Sequence, residues 1–128
     1  MSTPKKEGYI MPAEWEKHSA LWLAWPYDET TFLKGLPATE TVFAEMIKAI
    51  YESETVNLLV LNDDMKKRAA ELLEKRGVDI EKINFITTLF ADVWIRDYGP
   101  IFLVNRSQKS LAWTKWGYSA YGKGENPY

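Results

Sequence analysis

Thr55-Val56-Asn57-Leu58-Leu59-Val60-Leu61, then Asn62-Asp63-Asp64, then, beyond Gly77, Lys82-Ile83-Asn84-Phe85-Ile86-Thr87-Thr88 is the stretch on which the fold turns. Its first and last pieces are short apolar runs rich in β-branched and aromatic residues, which reads as two strands. Between them Met65, Ala69, Leu72 and Leu73 recur at helical spacing and give one apolar face. Asn62-Asp63-Asp64 offers an N-cap to that helix, and Gly77 is a natural residue for the left-handed position just past its end. Strand, helix and strand make a βαβ unit, for which a right-handed crossover is expected. This places the chain in the α/β class.

Working outward, Ser19 to Trp25 is apolar nearly throughout and is bounded by Pro26, so it reads as a further buried strand. Asp28 to Pro37 reads as a loop punctuated by Gly35 and Pro37. Thr39 to Ser53 reads as a helix, with Val42, Phe43, Met46, Ile47 and Ile50 on one face. Thr39 is its candidate N-cap, and Glu40 suits the dipole of the first turn. Met1 to Tyr9 reads as a loose arm. Ile101 to Asn105 and Ser110 to Lys115 read as strands joined by the polar loop Arg106-Ser107-Gln108-Lys109. A sheet with parallel and antiparallel pairs follows. Trp116 to Tyr128 lacks a regular pattern, and the chain is expected to stop inside a loop.

Composition narrows the function classes. The chain has 128 residues, enough for one domain with a real core, and 46% hydrophobic content argues against disorder. Sixteen basic and 18 acidic residues are well mixed, with a formal net charge of -2. That gives no electrostatic footprint for nucleic acid or an anionic membrane. Cys is absent and His18 is the one histidine, so the chain has no thiolate nucleophile and no ligand set for a zinc site. The polar N-terminus has no apolar core of a signal peptide, and a cytoplasmic protein is the default expectation. Six Trp and seven Tyr predict that some aromatics line a pocket or interface, while Trp15 and Trp22 are most simply core.

The chemistry concentrates in Asp92-Val93-Trp94-Ile95-Arg96-Asp97-Tyr98-Gly99-Pro100, which sets two carboxylates, a guanidinium and two aromatics between apolar runs. Carboxylates accept paired hydrogen bonds from a guanidinium, and an indole face attracts a cation. A planar cation is therefore one reading. The plainer one is a strand-end network in which Arg96 pairs with Asp92 or Asp97. Strand alternation would send Trp94 and Arg96 to one face and Ile95 and Asp97 to the other. Only a bend between Trp94 and Asp97 would let the two share a pocket, and Gly99-Pro100 makes a bend available nearby.

Three segments in order resemble one known family. They are Met11-Pro12-Ala13-Glu14-Trp15-Glu16-x-His18, Leu21-Trp22-Leu23-Ala24-Trp25-Pro26, and Asp92-x-Trp94-x-Arg96-Asp97-x-Gly99-Pro100. They are similar to the agmatine deiminase and bacterial peptidylarginine deiminase family, as are Trp116-Gly117 and Tyr121 after the hairpin. The resemblance implies the pentein fold, a pseudo-fivefold α/β propeller, of which 1–128 would supply about one and a half ββαβ-type repeats. It implies that 1–128 is the N-terminal portion of one such domain, cut in the loop after about residue 116. It implies a hydrolase that deiminates agmatine or peptidyl-arginine through a cysteine thioether, with no cofactor and no metal. Asp97 would bind the guanidinium and Trp94 would wall it. Arg96 and Asp92 would be structural supports, Trp25-Pro26 a strand end near the site mouth, and His18 a hydrogen-bonded structural residue. The catalytic cysteine and histidine fall beyond the matched part, so this stretch alone is expected to be inactive. Its expected partners are a guanidine substrate and the missing C-terminal repeats, or a second copy in their place. A non-catalytic guanidinium-binding or protein-interaction domain is the alternative.

Overall fold

The computed structural model describes residues 2–117, which form two compact units, His18–Ile95 and residues 2–17 with 96–117. The larger unit contains a three-stranded parallel sheet. Its strands are β1 (Leu21–Ala24), β2 (Val56–Val60) and β3 (Ile83–Thr87), in the order β1-β2-β3. Register sets Leu21, Val56 and Ile83 in one row and Leu23, Leu58 and Phe85 in another. Two crossover helices join the strands, α2 (Leu36–Ile50) between β1 and β2 and α3 (Asp63–Glu74) between β2 and β3. The βαβ unit expected from Thr55–Thr88 is present.

The local chemistry explains these boundaries. The Asn62 side chain accepts the Met65 amide at 2.9 Å and caps α3, while Gly77 takes φ 79 just beyond that helix. The expected loop 28–37 instead contains a one-turn helix, α1 (Glu29–Phe32), capped by Asp28, and the start of α2. Pro37 lies in the first turn of α2, where a missing N–H costs nothing, so it opens the helix rather than breaking it. Thr39 is therefore not the N-cap. Its hydroxyl donates to the Gly35 carbonyl at 3.1 Å from inside the helix. Glu40 has a structural role beyond the dipole: its buried carboxylate accepts from Trp25 Nε1 and Arg68 Nε, each at 2.9 Å. Trp25, at the end of β1 as expected, is fully buried among Ile47, Leu58, Val60 and Leu73. Trp15 and Trp22, expected in the core, are 88% and 45% exposed. Trp22 lies on an edge strand, in register with Asn57 of β2.

In the smaller unit β4 (Ile101–Asn105) and β5 (Ser110–Thr114) pair antiparallel across the expected four-residue turn. Both pairing types expected of a mixed sheet are thus present, but in two separate sheets. The N-terminal arm is ordered. Pro4–Glu7 form a 3-10 turn, and Ile10 bridges Val104 with both backbone hydrogen bonds, 3.0 and 2.9 Å. The Asn105 amide donates to the Glu7 carbonyl at 2.9 Å, and Tyr9 and Ser110 hydroxyls are 3.1 Å apart. A polar anchor that reaches nearly a hundred residues along the chain leaves no periodic trace in the sequence.

Candidate functional site

The loop after β3 leaves the carboxyl end of the parallel sheet, the edge at which open α/β sheets place their ligands. It does not run on as a strand. Asp92 takes φ 49, a left-handed conformation that aspartate tolerates better than most residues, and the chain then enters a one-turn helix, α4 (Ile95–Tyr98). The alternation expected of a strand at Trp94–Asp97 is replaced by helical geometry.

Asp92 is 1% exposed. Its Oδ2 accepts from Trp94 Nε1 at 3.0 Å and from the Thr31 hydroxyl of α1 at 2.8 Å. Its backbone N–H donates to the Tyr27 hydroxyl at 3.3 Å, and that hydroxyl donates to the Phe90 carbonyl at 3.1 Å. Tyr27 also meets Phe90 edge-on, with centroids 5.4 Å apart. The loop after β1 and the loop after β3 are so tied together over the sheet end. Two charge-assisted hydrogen bonds thus reach Oδ2 of this buried carboxylate. Trp94 itself is 41% exposed, so its indole is held by one edge while part of its surface meets solvent. Asp92, expected to be a support, holds Trp94 by its indole N–H, and its partners Tyr27 and Thr31 carry no sequence signal. They stand in a loop whose spatial neighbour only the β1-β2-β3 order reveals.

In the other unit Arg96 pairs with neither Asp92 nor Asp97. Its Nη1 and Nη2 donate to Glu14 Oε1 and Oε2 at 3.0 and 3.1 Å, a fork-on-fork pair between exposed side chains. Such a pair contributes at most about 1 kcal/mol, and its value lies in the geometry it fixes. Arg106 and Glu16 form a second ion pair onto the same N-terminal segment. Glu14 belongs to the first of the three family-like segments and Arg96 to the third, which is the one sequence signal that could have joined them. Asp97 is exposed and hydrogen-bonds to no described residue. His18 is hydrogen-bonded, as expected, with Nδ1 3.0 Å from Glu54 Oε2. Trp116 is exposed, Gly117 ends the described chain, and Tyr121 lies outside the described residues. Among the described residues no group of three acidic, His or Cys side chains could hold a metal ion, and no helix is long and apolar enough to cross a membrane.

Residues 10–128 match the family described as Porphyromonas-type peptidyl-arginine deiminase. A Legionella pneumophila (strain Paris) protein is 37% identical over 122 residues, 94% of this chain and 33% of its own length. The agmatine deiminase of Pseudomonas aeruginosa (strain LESB58) is 31% identical over 121 residues, 94% of this chain and 31% of the relative. Among solved structures, the agmatine deiminase of Enterococcus faecalis superposes with a TM-score of 0.74 at 28% identity, covering 95% of this chain and 31% of that one. The chain spans about a third of the length of the curated relatives it matches.

Proposed function

The chain belongs to the Porphyromonas-type peptidyl-arginine deiminase family, and we propose that it is the N-terminal part of a hydrolase that deiminates a small guanidinium substrate, agmatine first. The observation that carries this reading is the family match running through Asp92–Pro100, where Asp97 is an exposed carboxylate and Trp94 a half-exposed indole. The choice of agmatine over peptidyl-arginine rests on relatives of about a third identity that are named agmatine deiminases. In the complete pentein domain, of which 1–128 would form a first repeat and part of a second, Asp97 accepts guanidinium N–H donors. Trp94 packs a ring face against the cation.

The bond-making groups lie elsewhere, because this sequence has no cysteine. A thiolate from outside the chain adds to the guanidinium carbon. A histidine gives a proton to the departing nitrogen, and ammonia leaves. Water then adds to the amidino-thioether carbon and the thiol departs, which yields the ureido product. For agmatine that product is N-carbamoylputrescine, a step toward putrescine in a cytoplasmic setting. The test is ammonia release from agmatine and from a peptidyl-arginine by two preparations, residues 1–128 alone and the complete protein. Turnover of agmatine by the complete protein only is the expected result. Turnover by neither, with guanidinium binding retained, would replace the hydrolase with a binding domain.

A further inference from the structure

We propose that Asp92 is a positioning residue that sets the ring plane of Trp94 for a cationic substrate. The inference rests on the guanidinium reading of Trp94 given above. Its starting point is a buried carboxylate that holds a half-exposed indole by one edge. A carboxylate that is 1% exposed gives up nearly all of its hydration. One side-chain donor to it is the N–H of an indole that is itself 41% exposed and could also be satisfied by water. That bond helps satisfy the buried carboxylate. It also orients the ring. An indole has two side-chain torsions, and an edge hydrogen bond at Nε1 fixes the second of them.

The holder is itself held. Thr31 donates to the same Oδ2 at 2.8 Å, and the Tyr27 hydroxyl accepts the Asp92 backbone N–H. Tyr27 is in turn fixed by the Phe90 carbonyl and by the edge-on Phe90 ring. The left-handed backbone at Asp92 turns the carboxylate back toward the residue two positions on. A carboxylate behind the N–H also pushes electron density into the ring, which strengthens the attraction of the ring face for a cation. Asp92 therefore never needs to touch the substrate; it acts through Trp94.

A mutant cycle in the complete deiminase separates this role from a merely structural one. Asp92→Ala and Asp92→Asn are each made with Trp94 present and in a Trp94→Phe background, which has no N–H to hold. With Trp94 present, Asp92→Ala should raise KM for agmatine roughly tenfold and leave kcat nearly unchanged, the pattern of lost uniform binding. Asp92→Asn keeps an acceptor oxygen for the indole and should restore most of the affinity. In the Trp94→Phe background Asp92→Ala should move KM by less than about twofold. Equal effects in both backgrounds would overturn the proposal. If Asp92→Ala does not fold, Thr31→Val tests the same link: a smaller rise in KM is expected, again only where Trp94 is present, and its persistence in the Trp94→Phe background would count against the proposal. A Trp94→Phe enzyme with unchanged KM would remove the guanidinium-wall reading itself. An effect of Trp94→Phe without one of Asp92→Ala would remove only the present inference.

Discussion

The two units are held by different physics. In His18–Ile95 the core is a continuous apolar cluster, with Leu58, Val56 and Val60 of the central strand packed under Ile47 of α2 and Leu73 of α3. In residues 2–17 with 96–117 the one fully buried side chain among the described residues is polar, that of Asn105. Its Oδ1 accepts the Ser107 hydroxyl at 2.8 Å and the Gln108 amide at 3.0 Å, while its amide donates to Glu7. Part of that hairpin's apolar surface is exposed: Phe102 and Trp113, a cross-strand pair, and Leu111. Apolar packing is non-directional and spreads its contribution over many contacts. A single hydrogen-bonded hub is directional and concentrates it. The first arrangement yields gradually to small changes of volume; the second fails when one group is lost.

The sharpest break of that comparison is Leu58→Ala. The residue is fully buried at the middle of the central strand, so the change should cost about 2–5 kcal/mol through lost transfer and a residual cavity. Leu111→Ala on the exposed hairpin face should stay within about 0.5 kcal/mol. Urea unfolding of both variants reads the difference, and equal losses would show that burial does not distinguish the units. Next comes Asp97→Asn in the complete protein. Its carboxylate is exposed and makes no hydrogen bond to a described residue, so Tm should hold while catalysis falls. A charge-assisted contact of about 1.5–3 kcal/mol corresponds to roughly ten- to a hundredfold in kcat/KM. A folded variant with wild-type kcat/KM would take Asp97 out of the site. The most local effect is expected from Asn105→Ala, about 1–3 kcal/mol from unsatisfied buried groups. Hydrogen exchange should quicken at residues 104–110 and stay as before at Val56–Val60; protection lost in β2 would mean that the units are not energetically separate.

Where the sequence was legible, its signals were local. The β2-α3-β3 unit was readable because period, cap and breaker agree within one stretch: apolar runs, Asn62, then Gly77. The β4-β5 hairpin was readable for the same reason, with four polar residues between two apolar runs. The misreadings also have local causes. Gly35 and Pro37 punctuate loops, but proline equally opens helices, and the start of α2 depended on which context applied. Trp22 looks like core because its neighbours are apolar, yet an edge strand with Asn57 alongside leaves it partly in water. At the candidate site, residue types were legible and their pairing was not. Arg96 stands beside two carboxylates in the sequence and bonds a third, Glu14, 82 residues away. Asp92 found its support at Thr31, 61 residues earlier, through a sheet order that no window of sequence contains.

Gly8 carries a consequence for how much variation the N-terminal segment can absorb. Its φ of 83 excludes most L side chains on conformational grounds, and a Cβ placed there would sit 3.0 Å from the Asn105 amide nitrogen. The two objections are independent. Shortening residue 105 would open space without relaxing the backbone, and a residue tolerant of positive φ, such as asparagine, would fit the backbone and collide with the amide. Either change alone leaves one objection standing; only a φ-tolerant residue at 8 together with a shorter one at 105 would answer both, and the second would give up the hydrogen bonds that Asn105 makes. Positions 8 and 105 thus form a coupled pair, and single-step drift in this segment runs through its exposed neighbours, Lys5, Lys6 and Arg106.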